Sequence, residues 1–261
     1  MQPERHGRVL LVGAGPGAAD LLTVRAINAL RNADVVLVDA LVTIGVRALI
    51  PPGTKIIEVG KRGHRPSTPQ DFINRLMARL ARAGKIVVRL KGGDPSIFGR
   101  AAEERAFLQS HGVTVEVIPG VTTASAAAAE FGFSLTTRAG ARRVVLATGR
   151  TIDGVVDEWG ASGDPRATLC LYMGCSDIRA ITSQLMSSGL SPLTPALAAI
   201  DVSRPGSRLV MSTLGELSNA LAAQSIDAPV FICIGEACAE AFDRREMGVS
   251  AQATASIRRA R

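Results

Sequence analysis

The sequence predicts an α/β protein built from two α/β domains, the first a mostly parallel sheet with flanking helices and the second a mixed sheet. Three observations carry this. Short β-branched apolar runs alternate with stretches of helix length through the first half, the pattern of parallel βα units. At 261 residues the chain has the length of two ordinary domains. Around residues 135–141 the alternation breaks, then resumes with strands joined by tighter turns. The expected divisions are a first domain over 1–135, a second over 136–242, and a basic, disordered tail over 243–261.

Residues 8–12 (RVLLV) read as the first strand and 13–17 (GAGPG) as a glycine loop. A helix is expected over 21–31, with Leu22, Ala26, Ala29 and Leu30 apolar, and a second strand over 34–38 that ends on Asp39. A short helix over 44–50 and the turn Pro51-Pro52-Gly53 lead to a third strand, 55–59, running into Gly60-Lys61-Arg62-Gly63. Thr68 reads as the N-cap of the next helix, with Pro69 in its first position and Asp71 in its first turn; the helix ends near Arg82, before Gly84.

Ile86-Val87-Val88 is the signature of a buried strand, and Gly92-Gly93-Asp94-Pro95 follows it, then a helix over 98–109. Adjacent glycines let backbone groups approach a ligand with no Cβ in the way. The C-terminal ends of strands are where open α/β sheets bind small molecules. Taken alone, the loop reads equally as a tight strand-to-helix turn. A strand over 113–117, Pro119-Gly120 and an alanine-rich helix over 122–130 complete the first half.

In the second half, strands are expected over 143–147, 168–172, 195–200, 208–212 and 230–234, with helices over 176–187 and 214–222. The two strands either side of Ser203-Arg204-Pro205-Gly206 read as an antiparallel hairpin, which makes the second sheet mixed.

Composition narrows the function. With 47% hydrophobic residues and a mean hydropathy of +0.23 the chain is core-rich, and with 3% aromatics that core must be Ala, Val, Leu and Ile. No apolar run reaches the roughly 18 residues of a membrane span, and the N-terminal stretch has no signal-peptide pattern, so a cytoplasmic protein is expected. The net charge is +7, of which the last 19 residues supply +3 through five arginines against Asp243 and Glu246. Scarce aromatics argue against nucleic-acid stacking. Basic residues beside glycine loops point instead to an anionic small molecule, with no nucleic-acid or membrane partner. Cys170 and Cys175, and Cys233 and Cys238, are spaced by five, unlike a C-x-x-C site; buried reduced thiols and no metal are expected.

Gly13-x-Gly15-x-x-Ala18, with Asp39 ending the next strand, fits a loose dinucleotide fingerprint and keeps a nicotinamide or flavin oxidoreductase open. Against it, Pro16-Gly17 stiffens the turn where such a helix would begin, and the loops at Gly60 and Gly92 have no role in that fold.

The segments VGAGPG, ADVVLVDALV, VGKRG, TPQ, RLKGGDPSIFGR, AEE, PGVT, LTTR, TGR and LYMG occur in this order, and together they resemble the tetrapyrrole methylase family from about residue 9 to 236. The resemblance implies S-adenosylmethionine in a cleft between two α/β domains, S-adenosylhomocysteine as product, and a homodimer. VGKRG before TPQ and RLKGGDP before FGR imply C-methylation of uroporphyrinogen III to precorrin-2, in two successive steps, for siroheme or cobalamin synthesis.

Carried over by position, the cofactor contacts are Pro16, Gly92, Gly93, Asp94, Ile97, Thr122, Thr123, Met173 and, through its backbone, Val202. The acid/base pair falls on Asp39, as proton acceptor, and Lys61, as donor. Arg62, Arg89, Lys91, Arg100 and Arg138 are the candidates for a rim that meets the substrate's carboxylates. Ala18, Ala40, Ser96, Ala101, Ala102, Thr137 and Ala139 depart from the residues usual in the family, most of them on the substrate side. A related methylase with a shifted substrate is therefore an alternative, as is a non-catalytic ligand-binding relative.

Overall fold

The structure, a computed structural model, describes residues 7–60, 68–138, 140–150 and 164–246. The chain forms two compact units, Met1–Thr122 and Thr123–Arg261. The alanine-rich helix therefore groups with the second unit, where the sequence reading put the boundary after it, at residue 135. Hydrogen bonds explain the grouping: that helix bonds at one end to the last residue of a strand of the second sheet and at the other to a turn after another strand, as described below.

The first unit has five strands, β1 (Arg8–Gly13), β2 (Val35–Val38), β3 (Lys55–Glu58), β4 (Ile86–Lys91) and β5 (Thr114–Ile118), in the order β3-β2-β4-β1-β5. All pair in parallel. Four helices join them: α1 (Val24–Arg31), α2 (Ile44–Arg47), α3 (Gln70–Arg82) and α4 (Ala101–Ser110). Side chains of a strand alternate between faces, and here both faces are buried. Leu10, Val12, Val36, Val38, Val88 and Leu90 pack with Ala26 and Leu30 of α1 and Val46 of α2. Val9, Leu11, Val35, Leu37 and Val87 pack with Ile73 and Met77 of α3 and Leu108 of α4.

Helix starts differ from the sequence reading for local reasons. The Thr23 hydroxyl accepts from Ala26 N at 3.1 Å and so caps α1 at Val24, after a 3-10 turn at Ala19–Leu21. Pro69, not Thr68, is the cap residue of α3, and its carbonyl accepts from Ile73 N. The helix expected from 98 starts at Ala101, because Phe98 and Arg100 hold positive φ (51° and 59°), which a right-handed helix cannot contain.

The second unit opens with α5 (Thr123–Phe131) and has strands β6 (Arg143–Thr148), β7 (Ala167–Tyr172), β8 (Pro195–Ile200), β9 (Arg208–Thr213) and β10 (Val230–Ile234), with α6 (Ile178–Ser187), α7 (Leu217–Ala222) and α8 (Ala239–Glu246). The order is β6-β7-β10-β8-β9; β6 and β7 are parallel and the other pairs antiparallel, so this sheet is mixed. Helix α8 continues to Glu246, past residue 243, where the sequence reads as tail. Cys170 and Cys233 are buried cross-strand partners, and Cys238 Sγ lies 3.4 Å from Cys233 Sγ; all four cysteines are free thiols. Among the described residues no helix is long and apolar enough to cross a membrane.

Candidate active site

Because the first sheet is wholly parallel, the loops after all its strands lie along one edge. The chain leaves β1 toward β2 on one side and leaves β4 toward β5 on the other. The adjacent ends of β1 and β4 are thus the topological switch point, where open α/β sheets bind ligands. Three glycine loops meet here. Ala14 N donates to Lys91 O at 2.7 Å, and Gly15 and Gly93 exchange backbone bonds of 3.2 and 2.7 Å. A Cβ on Gly13 would lie 2.5 Å from Gly120 N, and one on Gly120 only 2.3 Å from Gly93 O. Gly93 has φ +64°, and nothing lies within 4 Å of where its Cβ would be, so the loop packs backbone on backbone while leaving one face bare.

The Asp94 carboxylate staples this arrangement. One oxygen accepts from Ser96 N at 2.7 Å, the other from Gly120 N at 2.9 Å. With the side chain so occupied, the main chain of Gly92, Gly93 and Asp94 is what the loop can offer a ligand. Pro16 and Ile97 flank the same loops, both half-buried, and Ile97 N donates to Asp94 O at 3.2 Å. Thr43 caps α2 and donates to Gly17 O at 2.6 Å, which ties that helix to the first glycine loop.

Beside the glycines lies a row of charges. Alternation along β4 puts Val87, Arg89 and Lys91 on the face covered by α3 and α4. Arg89 and Lys91 are each 4% exposed, and Glu104 of α4 is fully buried between them. Lys91 Nζ donates to both Glu104 oxygens at 3.0 Å, and Arg89 Nε to one at 3.4 Å. Gln70 Nε2 bonds Glu104 at 2.9 Å and Asn74 at 3.0 Å. Burial, reinforced by Arg89, holds the Lys91 ammonium below its ordinary pKa despite Glu104. Asp39, one residue past β2, receives Arg89 Nη2 on Oδ2 at 3.4 Å and its neighbour Ala40 N on Oδ1 at 2.8 Å.

Arg89 and Lys91 are therefore not rim residues, as the sequence reading had them. A strand buried on both faces turns its cations inward, where they must be paired. Arg100 does sit at the surface, as the left-handed cap residue of α4, with its guanidinium on Glu103 (Nη2 to Oε2, 2.6 Å). That pairing raises the Arg100 pKa and lowers that of Glu103. Arg138 is exposed on a loop held by Thr137, whose hydroxyl accepts from Gly140 N and Ala141 N at 3.1 and 3.0 Å. Lys61 and Arg62 lie outside the described residues. Glu104, Gln70 and Gly120 carry no role in the sequence reading, although each lies in a segment that it quotes: AEE, TPQ and PGVT.

In the second unit, Val230 pairs with Ile200 and Phe231 with Tyr172, so β7 and β8 end side by side across β10. The residues that follow are Met173 and Asp201-Val202-Ser203. Met173, Asp201 and Ser203 have φ of 55°, 54° and 60°, a clustering of strained backbone typical of functional sites. Helix α5 is bonded at both ends here: Ala124 N to the Tyr172 hydroxyl at 3.3 Å, and Glu130 to Ser203 N at 2.7 Å. Thr123 is the first residue of α5, and Thr122 closes the first unit two residues past Gly120. The Val202 side chain is buried, while Met173 is 46% exposed. With Arg150, Cys175, Ser176, Ile226, Ala228 and Val230, Met173 lines a pocket of about 360 Å³.

Two features depart from a dinucleotide fold. There β1 neighbours β2, whereas here β4 lies between them. Nor does a helix begin at the glycines: a 3-10 turn and extended Leu22-Thr23 precede α1.

Residues 8–218 match the family model described as tetrapyrrole (corrin/porphyrin) methylases. A siroheme synthase of Chromobacterium violaceum is 43% identical over 234 residues, covering 89% of this chain and 50% of that protein. The chain thus spans about half the length of that relative. A uroporphyrinogen-III C-methyltransferase of Pseudomonas aeruginosa is 43% identical over 230 residues, 88% of this chain and 94% of the relative. Among solved structures, uroporphyrin-III C-methyl transferase from Thermus thermophilus complexed with S-adenyl homocysteine aligns with a TM-score of 0.77 at 39% identity, over 88% of this chain and 98% of that one. With a parallel and a mixed five-stranded sheet and a match running from β1 into α7, this chain belongs to the tetrapyrrole methylases.

Proposed function

We propose that the chain is an S-adenosylmethionine-dependent C-methyltransferase that converts uroporphyrinogen III to precorrin-2 by two successive methylations, for siroheme or cobalamin synthesis. The observation that carries the reading is the bare backbone at Gly93, at the switch point of the parallel sheet, with the Asp39 carboxylate at the end of the neighbouring strand β2. Identity of 43% over nearly the whole length of a uroporphyrinogen-III C-methyltransferase supports the substrate.

Pro16, Gly92, Gly93, Asp94, Ile97, Thr122, Thr123, Met173 and Val202 would hold the cofactor. When bound, it supplies a methyl group already activated on a sulfonium. The protein must then align the acceptor carbon and take up the proton that the macrocycle sheds once that carbon has bonded to the methyl group. Asp39, a carboxylate 33% exposed at the end of β2, is the acceptor for that proton. Lys61 is the proposed donor. The substrate's carboxylates are met by Arg62, Arg100 and Arg138, Arg100 having first to share its guanidinium with Glu103. The reading includes a cytoplasmic homodimer; exposed Leu41 and Ile44 offer apolar surface for the dimer, and sedimentation tests it.

Transfer of labelled methyl from S-adenosylmethionine to uroporphyrinogen III tests the activity. Binding of S-adenosylhomocysteine without transfer would shift the substrate to another tetrapyrrole. Asp39→Asn is expected to lower turnover by about 10²- to 10⁴-fold, the usual contribution of a general base, with cofactor-product affinity nearly unchanged. Unchanged turnover would remove Asp39 from the mechanism.

A further inference from the structure

We propose that Arg89 is a positioning residue for Asp39, anchored from the core side by Glu104; this rests on Asp39 being the proton acceptor. The guanidinium is spread over three partners: Glu104 through Nε, Asp39 through Nη2 and the Leu90 carbonyl through Nη1, each at 3.4 Å. Glu104 is itself immobilised by Lys91 and Gln70. Buried cations paired with carboxylates add little to stability compared with apolar residues of the same size. A row of four charges in an otherwise apolar sheet face therefore calls for a reason beyond stability.

Charge counting supplies one. Two buried cations face one buried carboxylate, Glu104, and the second carboxylate of the row is Asp39, which alone among the four reaches solvent. Ala40 N fixes its Oδ1 and Arg89 fixes its Oδ2, so the orientation of the carboxylate is set before substrate arrives. Arg47 Nη2 approaches the Asp39 carbonyl at 3.4 Å and leaves the carboxylate to Arg89.

The test is a double-mutant cycle on the full chain, with Asp39→Asn and Arg89→Gln singly and together. Turnover is read by labelled methyl transfer and affinity by calorimetry with S-adenosylhomocysteine. Arg89→Gln is expected to lower kcat by about 10- to 100-fold, the scale of a misplaced reacting group, with KM and S-adenosylhomocysteine affinity within about 3-fold. In the Asp39→Asn background the same change should cost less than about 2-fold, since groups acting as a unit are not additive. An equal loss in both backgrounds, or none in the parent, overturns the positioning role. If Asp39→Asn alone leaves kcat intact, it is the base assignment that fails instead. Should Arg89→Gln not fold, Glu104→Gln, which keeps the shape of the anchor, takes its place in the cycle with the same criteria.

Discussion

Replacing Asp94 by asparagine changes one oxygen of a carboxylate that accepts two backbone N–H groups, from Ser96 at 2.7 Å and from Gly120 at 2.9 Å. Asparagine keeps one acceptor and turns an NH2 toward the other N–H, so one bond is lost and the other becomes neutral. Hydrogen bonds to a charged group contribute about 1.5–3 kcal/mol each, and neutral ones about 1. For this half-buried site the net loss comes to about 2 kcal/mol. At a urea dependence of about 2 kcal/mol per molar, the unfolding midpoint should fall by about 1 M. Circular dichroism in urea measures that. Calorimetry with S-adenosylhomocysteine should show weaker binding in the same variant, because the Gly93 main chain loses its brace. A midpoint within about 0.2 M of the parent would refute the staple; unchanged stability with binding lost would mean that the carboxylate touches the ligand itself.

Gly120→Ala puts a Cβ 2.3 Å from Gly93 O and should destabilise by about 1–3 kcal/mol or more, whereas a side chain at Gly93 meets open space and costs mainly its left-handed backbone; equal urea midpoints for the two variants would contradict this. Lys91 has a depressed pKa when folded, so it releases its proton at lower pH than in the unfolded chain, and in that alkaline window the unfolded state binds more protons. Relative to Lys91→Met, the parent should therefore gain stability as pH rises toward 10.5, and a flat difference would show that burial does not depress the ammonium. Hydrogen bonding among the clustered thiols, together with burial, raises the thiol pKa of Cys170 and Cys233, and Cys238 is buried beside them, so an aromatic disulfide reagent should modify half-buried Cys175 first and the other three only in denaturant; two fast thiols would count against the buried cluster.

How much of this was legible in the sequence depended on whether the signal was local. The strands are short apolar runs, most of them set off by glycine, proline or aspartate, and every one expected in the two sheets is present. Helix starts were misjudged where a single residue decided them: Thr23 as a cap, or positive φ at Phe98 and Arg100, which no composition rule announces. Helix α8 was read partly as tail because DRRE is polar throughout, and its helicity is not written in an apolar stripe. Arg89 and Lys91 were the instructive error. Their spacing of two puts both on the face of Val87, and a parallel strand is buried on either face. That was enough to place them inside, but their partner Glu104 comes from a helix ten or more residues on, and only the folded chain brings it there.

Helix α5 has one further consequence. It is bonded at its first turn to the Tyr172 hydroxyl and at its last to Ser203 N, and those two residues adjoin Met173 and Val202. Nine helical residues span roughly 13 Å at 1.5 Å per residue. The helix thus acts as a strut of fixed length between the turns after β7 and β8. The helix length and two hydrogen bonds, to the Tyr172 hydroxyl and the Glu130 carboxylate, brace the gap between those turns. Core substitutions beneath the second sheet can loosen its interior while the two turns keep their separation.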